Sequence, residues 1–227
     1  MKNKIIKLSP GKCNSYLIQA EKGFIMVDAG ISAKIDKVFG ILKDKINHVS
    51  DIKLIIITHV HHDHVGSLKQ LKERTGAQVL VHKSEVELLQ KGVTKFPKGT
   101  NKFSTIISTL VNKIFSSMGK FEPVKPDITI TKEYDLSSFG IDGKIIHTPG
   151  HTVGSISVIL REGECLVGDT MFNISPWTVF PIFANDTDKL KQSWKKINQY
   201  RCKSFYPGHG KQFGNDKFAK SWQKYEI

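Results

Sequence analysis

Apolar positions along the chain change period several times, and each change marks an element. Residues 14–20 (NSYLIQA) and 23–28 (GFIMVD) are short apolar runs parted by the turn-like EKG, which predicts a hairpin. Ala29-Gly30 breaks the run. Ile35, Val38, Phe39, Leu42 and Ile46 then recur at helical spacing, predicting a helix over 32–46 with Ser32 as a candidate cap. Residues 53–57 (KLIII) are continuously apolar, as in a strand buried on both faces. A helix at 66–75, a strand at 78–82 (QVLVH) and a helix at about 83–91 follow. From 91 to 127 the pattern weakens to one amphipathic stretch, 103–118, between flanks rich in Lys, Pro and Gly. This segment reads as an insertion over or beside a functional site. Strands return at 143–147, 155–160 and 164–167, then a helix at about 187–199, a strand at 203–206 and a short final helix. Alternation of this kind predicts layered α/β architecture.

Composition narrows the class. The 227 residues suit one domain, and 39% hydrophobic with 24% charged residues is an ordinary globular balance. No stretch is apolar enough for a signal-peptide core or for a membrane helix of about 20 residues. The expectation is a soluble, cytoplasmic protein with no membrane partner. Cys13, Cys165 and Cys202 have no paired spacing, and all three are expected as buried free thiols. The net charge of +13 comes from lysines spread along the whole chain. Without a basic stripe or interleaved aromatics it describes a solvated surface, so nucleic acid is not the expected partner.

The candidate chemistry lies directly after the buried strand. Thr58-His59-Val60-His61-His62-Asp63-His64 puts four histidines and a carboxylate within six positions. Buried imidazoles and carboxylates at such density are costly unless a cation compensates them. His59 and His61 can converge from one extended or tightly turned segment, while Asp63 and His64 point elsewhere, which suits two adjacent metals.

The pattern His59-x-His61-x-Asp63-His64 resembles the signature of the metallo-β-lactamase superfamily. The remaining motifs of that family have counterparts in order: Val27-Asp28-Ala29-Gly30, Thr148-Pro149-Gly150-His151-Thr152, Gly168-Asp169-Thr170 and Pro207-Gly208-His209-Gly210. The resemblance implies an αβ/βα four-layer sandwich and one metallo-β-lactamase-like domain over 1–227, with the insertion at about 91–127. It also implies roles. His59, His61 and His151 would hold one metal, and Asp63, His64 and His209 a second, with Asp169 bridging them. Asp63 would also orient the nucleophile, and Asp28 would fix the orientation of a ligand imidazole. Nitrogen and carboxylate donors without thiolate suit two zinc ions, with iron and manganese compatible. His62 stands at the variable position and is read as a non-ligand. His48, His82 and His147 match no motif.

The implied reaction is hydrolysis of an ester, thioester or lactone, by a hydroxide held between two metal ions. The alternatives are a nuclease or phosphodiesterase and a mononuclear iron sulfur dioxygenase. Zinc lactamases of the commonest type carry cysteine where Asp169 stands, which argues against antibiotic hydrolysis. Flavoprotein members have an acidic residue in place of His61. Glyoxalase II-like thioesterases share every motif, but their long forms add a C-terminal helical domain for which few residues remain here after Gly210. Lactonases commonly place a tyrosine after the fourth motif, and the stretch from Thr170 to Phe183 has none. The expected partner is a small-molecule substrate. Phe103, Ile106, Phe115, Phe172, Trp177, Phe180 and Phe183 are candidates for an acyl pocket, or for core.

Overall fold

A computed structural model describes residues 4–8, 13–31, 34–94, 96–114 and 119–227. Two six-stranded mixed sheets face each other. The first comprises β1 (Ile5–Leu8), β2 (Ser15–Ala20), β3 (Gly23–Val27), β4 (Ile52–Ile56), β5 (Gln78–His82) and β6 (Ile128–Ile130), in that spatial order. The second runs β12 (Phe213–Gly214), β11 (Ser204–Gly210), β10 (Glu164–Asn173), β9 (Ile156–Leu160), β8 (Gly143–His147) and β7 (Glu133–Asp135). Pairing is antiparallel along β1–β3 and parallel from β3 through β6. In the second sheet only β10 and β11 run parallel.

Period-two alternation explains why there are four layers. Within β2 and β3, Leu17 and Met26 point outward into a cluster with Val38, Leu42, Leu68 and Leu71. These come from α1 (Ile35–Lys43) and α3 (Leu68–Thr75). Tyr16, Ile18, Ile25 and Val27 point the other way, against Ile145, Ile156, Val158 and Leu166 of the second sheet. The outer face of that sheet (Ile159, Cys165, Val167, Phe205) packs on Leu190, Trp194 and Ile197 of α6 (Thr187–Asn198) and Phe218 of α7 (Asn215–Lys224). Helix, sheet, sheet, helix is the expected sandwich.

Several boundaries differ from the sequence reading. The helix expected over 66–75 is preceded by a single turn, α2 (His62–Val65), which carries Asp63 and His64. The segment 83–91 opens with a 3-10 turn, Lys83–Glu85, before α4 (Val86–Lys91). The strands expected at 164–167 and 203–206 continue through Asp169 and His209, because their polar ends still pair in parallel. Of the stretch 103–118, α5 (Lys102–Ile114) is described. Ser32 and Phe115 lie outside the described residues.

Candidate metal centre

All seven expected ligands meet at one edge of the sandwich, three from the first sheet's loops and helical turn plus Asp63, and three from the second sheet. His59 and His61 follow β4, and Asp63 and His64 sit on α2 behind them. Asp169 lies on β10 where the β10–β11 register shifts, between Gly168 and Phe172. Bulges of this kind re-aim a side chain beside a site. His209 comes from β11, and His151 from the β8–β9 connection. That connection is tied to α6, since Ser193 Oγ donates to the Pro149 carbonyl at 2.6 Å.

The donor atoms fall into two groups able to hold an ion: His59, His61, His151 and Asp169, then Asp63, His64 and His209. In the first, His61 Nδ1 stands 3.0 Å from His59 Nε2 and 3.1 Å from His151 Nε2. Asp169 Oδ2 is 3.7 Å from His59 Nε2 and 3.3 Å from both His151 Nε2 and His209 Nε2. Its Oδ1 is 3.4 Å from His64 Nε2, and His209 Nε2 is 3.4 Å from Asp63 Oδ2. Asp169 therefore faces both groups.

Neighbouring groups fix which nitrogen of each ring looks inward. Asp28 Oδ2 accepts from His64 Nδ1 at 2.9 Å, and the Asp28 carboxylate also accepts from the Thr58 amide and hydroxyl. Asp28 reaches this position with φ of 60°, a left-handed backbone unusual outside glycine. His151 Nδ1 donates to the Phe183 carbonyl at 2.9 Å. These bonds leave Nε2 of both rings directed at the cluster. His64 Nε2 and Asp169 Oδ1 are buried with no hydrogen-bond partner. Two orphaned buried atoms facing one another would be expensive in an ion-free protein, and a cation between them satisfies both. By that test the residues fit a divalent metal. Gly208 completes the arrangement: a Cβ there would run into Asp169 Oδ1 and lie 2.7 Å from His64 Cε1.

Protonation follows the same geometry. Burial, helped by neighbouring imidazoles, pushes His59 well below the ordinary range and His61 down to about 3, and burial also lowers His151. Burial opposes protonation of His209 as well, but Asp169 and Asp63 outweigh it and raise that ring to about 10. His64 is likewise raised against burial, with Asp169 and Asp28 among the groups favouring its charged form. Burial works to raise the Asp63 carboxyl, yet the hydrogen bond from His209 and the charge on His64 hold it low.

Some partners were not foreseen from the sequence. Asn14 Nδ2 donates to the carbonyls of Pro207 and Gly210, Tyr16 to that of Pro207, and Cys13 Sγ to that of Asp63. The start of β2 thus braces the His209 end of β11 across 193 residues of chain. No local motif announces this. Cys13, Cys165 and Cys202 are buried free thiols as expected. His62 is part-exposed at the rim, with Nδ1 3.8 Å from Asp63 Oδ1, and His48 is exposed.

The cluster floors a cavity of about 570 Å³. Its other walls are Thr94, Phe96, Pro97, Val111, Asn112 and Gly119 from the 91–127 segment, and Phe172, Ile174, Ile182 and Phe183 after Asp169. Of the aromatic and apolar candidates, Phe172 and Phe183 line it. Phe180 belongs to the core, and Phe103, Ile106 and Trp177 are exposed. Among the described lining residues there is no Lys or Arg.

Known proteins match this description. Residues 8–209 fit the profile of the metallo-beta-lactamase superfamily. A Methanocaldococcus jannaschii protein described as "Probable metallo-hydrolase" is 32% identical over 223 residues, covering 94% of each chain. Hydroxyacylglutathione hydrolase of Shewanella pealeana is 28% identical over 145 residues, 64% of this chain and 41% of that one. A crystal structure of a superfamily protein from Sulfolobus tokodaii superposes with a TM-score of 0.70 at 21% identity, covering all of this chain and 88% of the other. With its fold, its His/Asp cluster and a profile match from Leu8 to His209, the chain belongs to the metallo-beta-lactamase superfamily.

Proposed function

We propose that the protein is a binuclear hydrolase of an uncharged ester, thioester or lactone with an apolar acyl part. His59, His61 and His151 would hold one ion and Asp63, His64 and His209 the other, with Asp169 facing both groups. The observation that carries this reading is a two-part ligand cluster at the floor of a pocket whose walls are mostly apolar and, among the described lining residues, free of Lys and Arg. The chain acts as one domain, with the 91–127 segment supplying part of the substrate wall.

Divalent ions at these residues, zinc by ligand chemistry, would supply an activated water and Lewis-acid polarisation of the scissile carbonyl. The protein's own groups do the rest. Asp63, held ionised by His209 and His64, can only accept hydrogen bonds and so orients the attacking water. Phe96, Val111, Ile182 and Phe183 desolvate the acyl chain and hold its carbonyl over the floor. The hydroxyacylglutathione hydrolase relative supports thioester chemistry. Against that, the described lining residues include no Lys or Arg to meet a phosphate or a peptide carboxylate.

The test is a panel of acyl esters, thioesters and lactones of graded chain length, with a phosphodiester as comparison, on metal-replete protein. Acyl substrates should be turned over, with kcat/KM rising with chain length until the cavity is full. Turnover confined to the phosphodiester would reject the proposal, and a single tightly bound iron with no second ion would reject its binuclear part.

A further inference from the structure

Glu85 belongs to no motif of the site, yet it is completely buried, on the 3-10 turn after β5. Its two oxygens divide between the two sheets. Oε2 accepts from the amide of Val60, the residue between His59 and His61, at 3.1 Å. Oε1 accepts from the amide of Gly154, three residues after His151, at 2.9 Å. Any Cβ at 154 would run into Glu85 Cγ, so glycine is required for this approach. Two further histidines without a metal role support the same spot. His82 takes the amide of Ser84 on Nδ1, donates from Nε2 to the Thr131 carbonyl, and stacks on His147 at 4.0 Å between centroids. His147 Nε2 in turn donates to the carbonyl of Val153 at 2.9 Å. The His151 loop is therefore gripped on both sides of the peptide joining Val153 and Gly154.

We infer that Glu85, buttressed by the His82–His147 stack, is a positioning residue that holds the His59–His61 turn and the His151 loop in register. Three donors from two different sheets must converge within a few tenths of an ångström, and beside one backbone bond, from the Ile156 amide to the Thr58 carbonyl at 2.9 Å, Glu85 ties the two segments together. Glu85 does so with one buried side chain whose carboxylate bonds two backbone amides. The inference rests on the reading that His59, His61 and His151 hold an ion.

Glu85→Gln is the informative change. It keeps the shape, but its amide nitrogen must confront a backbone N–H where an oxygen accepted before. Affinity for cobalt(II) and zinc is measured by chelator competition on intact protein, together with the cobalt ligand-field spectrum and steady-state kinetics. The expected result is a loss of about 10–100-fold in affinity for one of two ions, an altered spectrum, and a lower kcat with KM little changed. Leu42→Ala, a core truncation under α1, serves as control and should lower Tm without moving affinity or spectrum. Wild-type affinity and spectrum in Glu85→Gln would overturn the inference. Should Glu85→Gln not fold, His147→Phe keeps a stacking ring and removes the bond to Val153. It should weaken the same ion at least about threefold, by the same loss of support around a ligand loop, and unchanged affinity there overturns the inference equally. Wild-type protein that binds neither metal would instead reject the metal-site reading itself.

Discussion

At the scale of single residues, the candidate ligands were legible because histidines and a carboxylate crowd the end of an apolar strand. Their supporting partners were not. Asn14, Tyr16 and Glu85 act through backbone groups 193, 191 and up to 69 positions away, and no local spacing encodes such a bond. Asp28 illustrates what the support is worth. Asp28→Asn tolerates the left-handed backbone but leaves a donor facing a donor at His64 or Thr58. Thermal or denaturant unfolding of ion-free protein should show a loss of about 1–3 kcal/mol. Affinity for one ion should fall about tenfold or more in a metal titration; unchanged affinity would mean that His64 needs no orienting partner. Protonation makes a second expectation at this scale. His209, raised to about 10, and His64, also raised, must give up protons before they can ligate. Metal affinity should therefore climb steadily from pH 6 to 9 with measurable proton release. A flat profile across that range would contradict the raised imidazoles.

Among elements, long periodic segments were read correctly and short ones were missed. The three-residue strands β6 and β7 and the two-residue β12 are too brief to show alternation, and they exist because a neighbouring strand offers unpaired backbone. The helix α5 was visible by period, but period alone gave the wrong inner face. Ser104 and Ser108 point inward and bond Asn101 and Pro97, while Phe103, Ile106 and Leu110 face outward. Val111 and Asn112, on its flank, reach the cavity. This separates two substitutions on one helix. Val111→Trp should shorten the acyl chain preferred by the enzyme, cutting kcat/KM for long substrates by about 5- to 150-fold, since overfilling a packed apolar pocket costs roughly 1–3 kcal/mol. Phe103→Ser should leave the chain-length profile where it was. Equal effects of the two in a chain-length series would place the acyl chain elsewhere.

The whole molecule couples the cluster to stability through pH and metal. In ion-free protein, His59, His61 and His151 have lowered values, so below about 6.5 the unfolded chain binds protons that the folded one refuses. Stability should thus fall as pH drops through that value toward 3. His209 and His64 act with the opposite sign. Their stabilisation is complete below about 6.5 and is lost as pH rises toward 10. The ion-free Tm should therefore peak near neutrality. With metal bound, the alkaline decline should flatten, because the ion replaces the displaced protons. Chelation at pH 7 should lower stability by about 4 kcal/mol if free metal had stood at a thousand times Kd. Scanning Tm of both forms from pH 5 to 9.5 checks the signs, and an ion-free Tm rising throughout would refute them.

The cavity's floor and its walls come from different stretches of chain. The floor is mounted on strand ends and locked by Gly208, where even a methyl group would strike Asp169. Apart from Phe172 on β10, the walls come from α5, its flanks and the loop from Ile174 to Phe183, whose Phe183 carbonyl accepts from His151 on the floor. Mutational drift can therefore remodel what is admitted while leaving untouched how it is cleaved. A lineage built on this plan could change diet without relearning its chemistry, and a randomised library should be confined to Phe96, Val111, Ile174 and Ile182, sparing position 208.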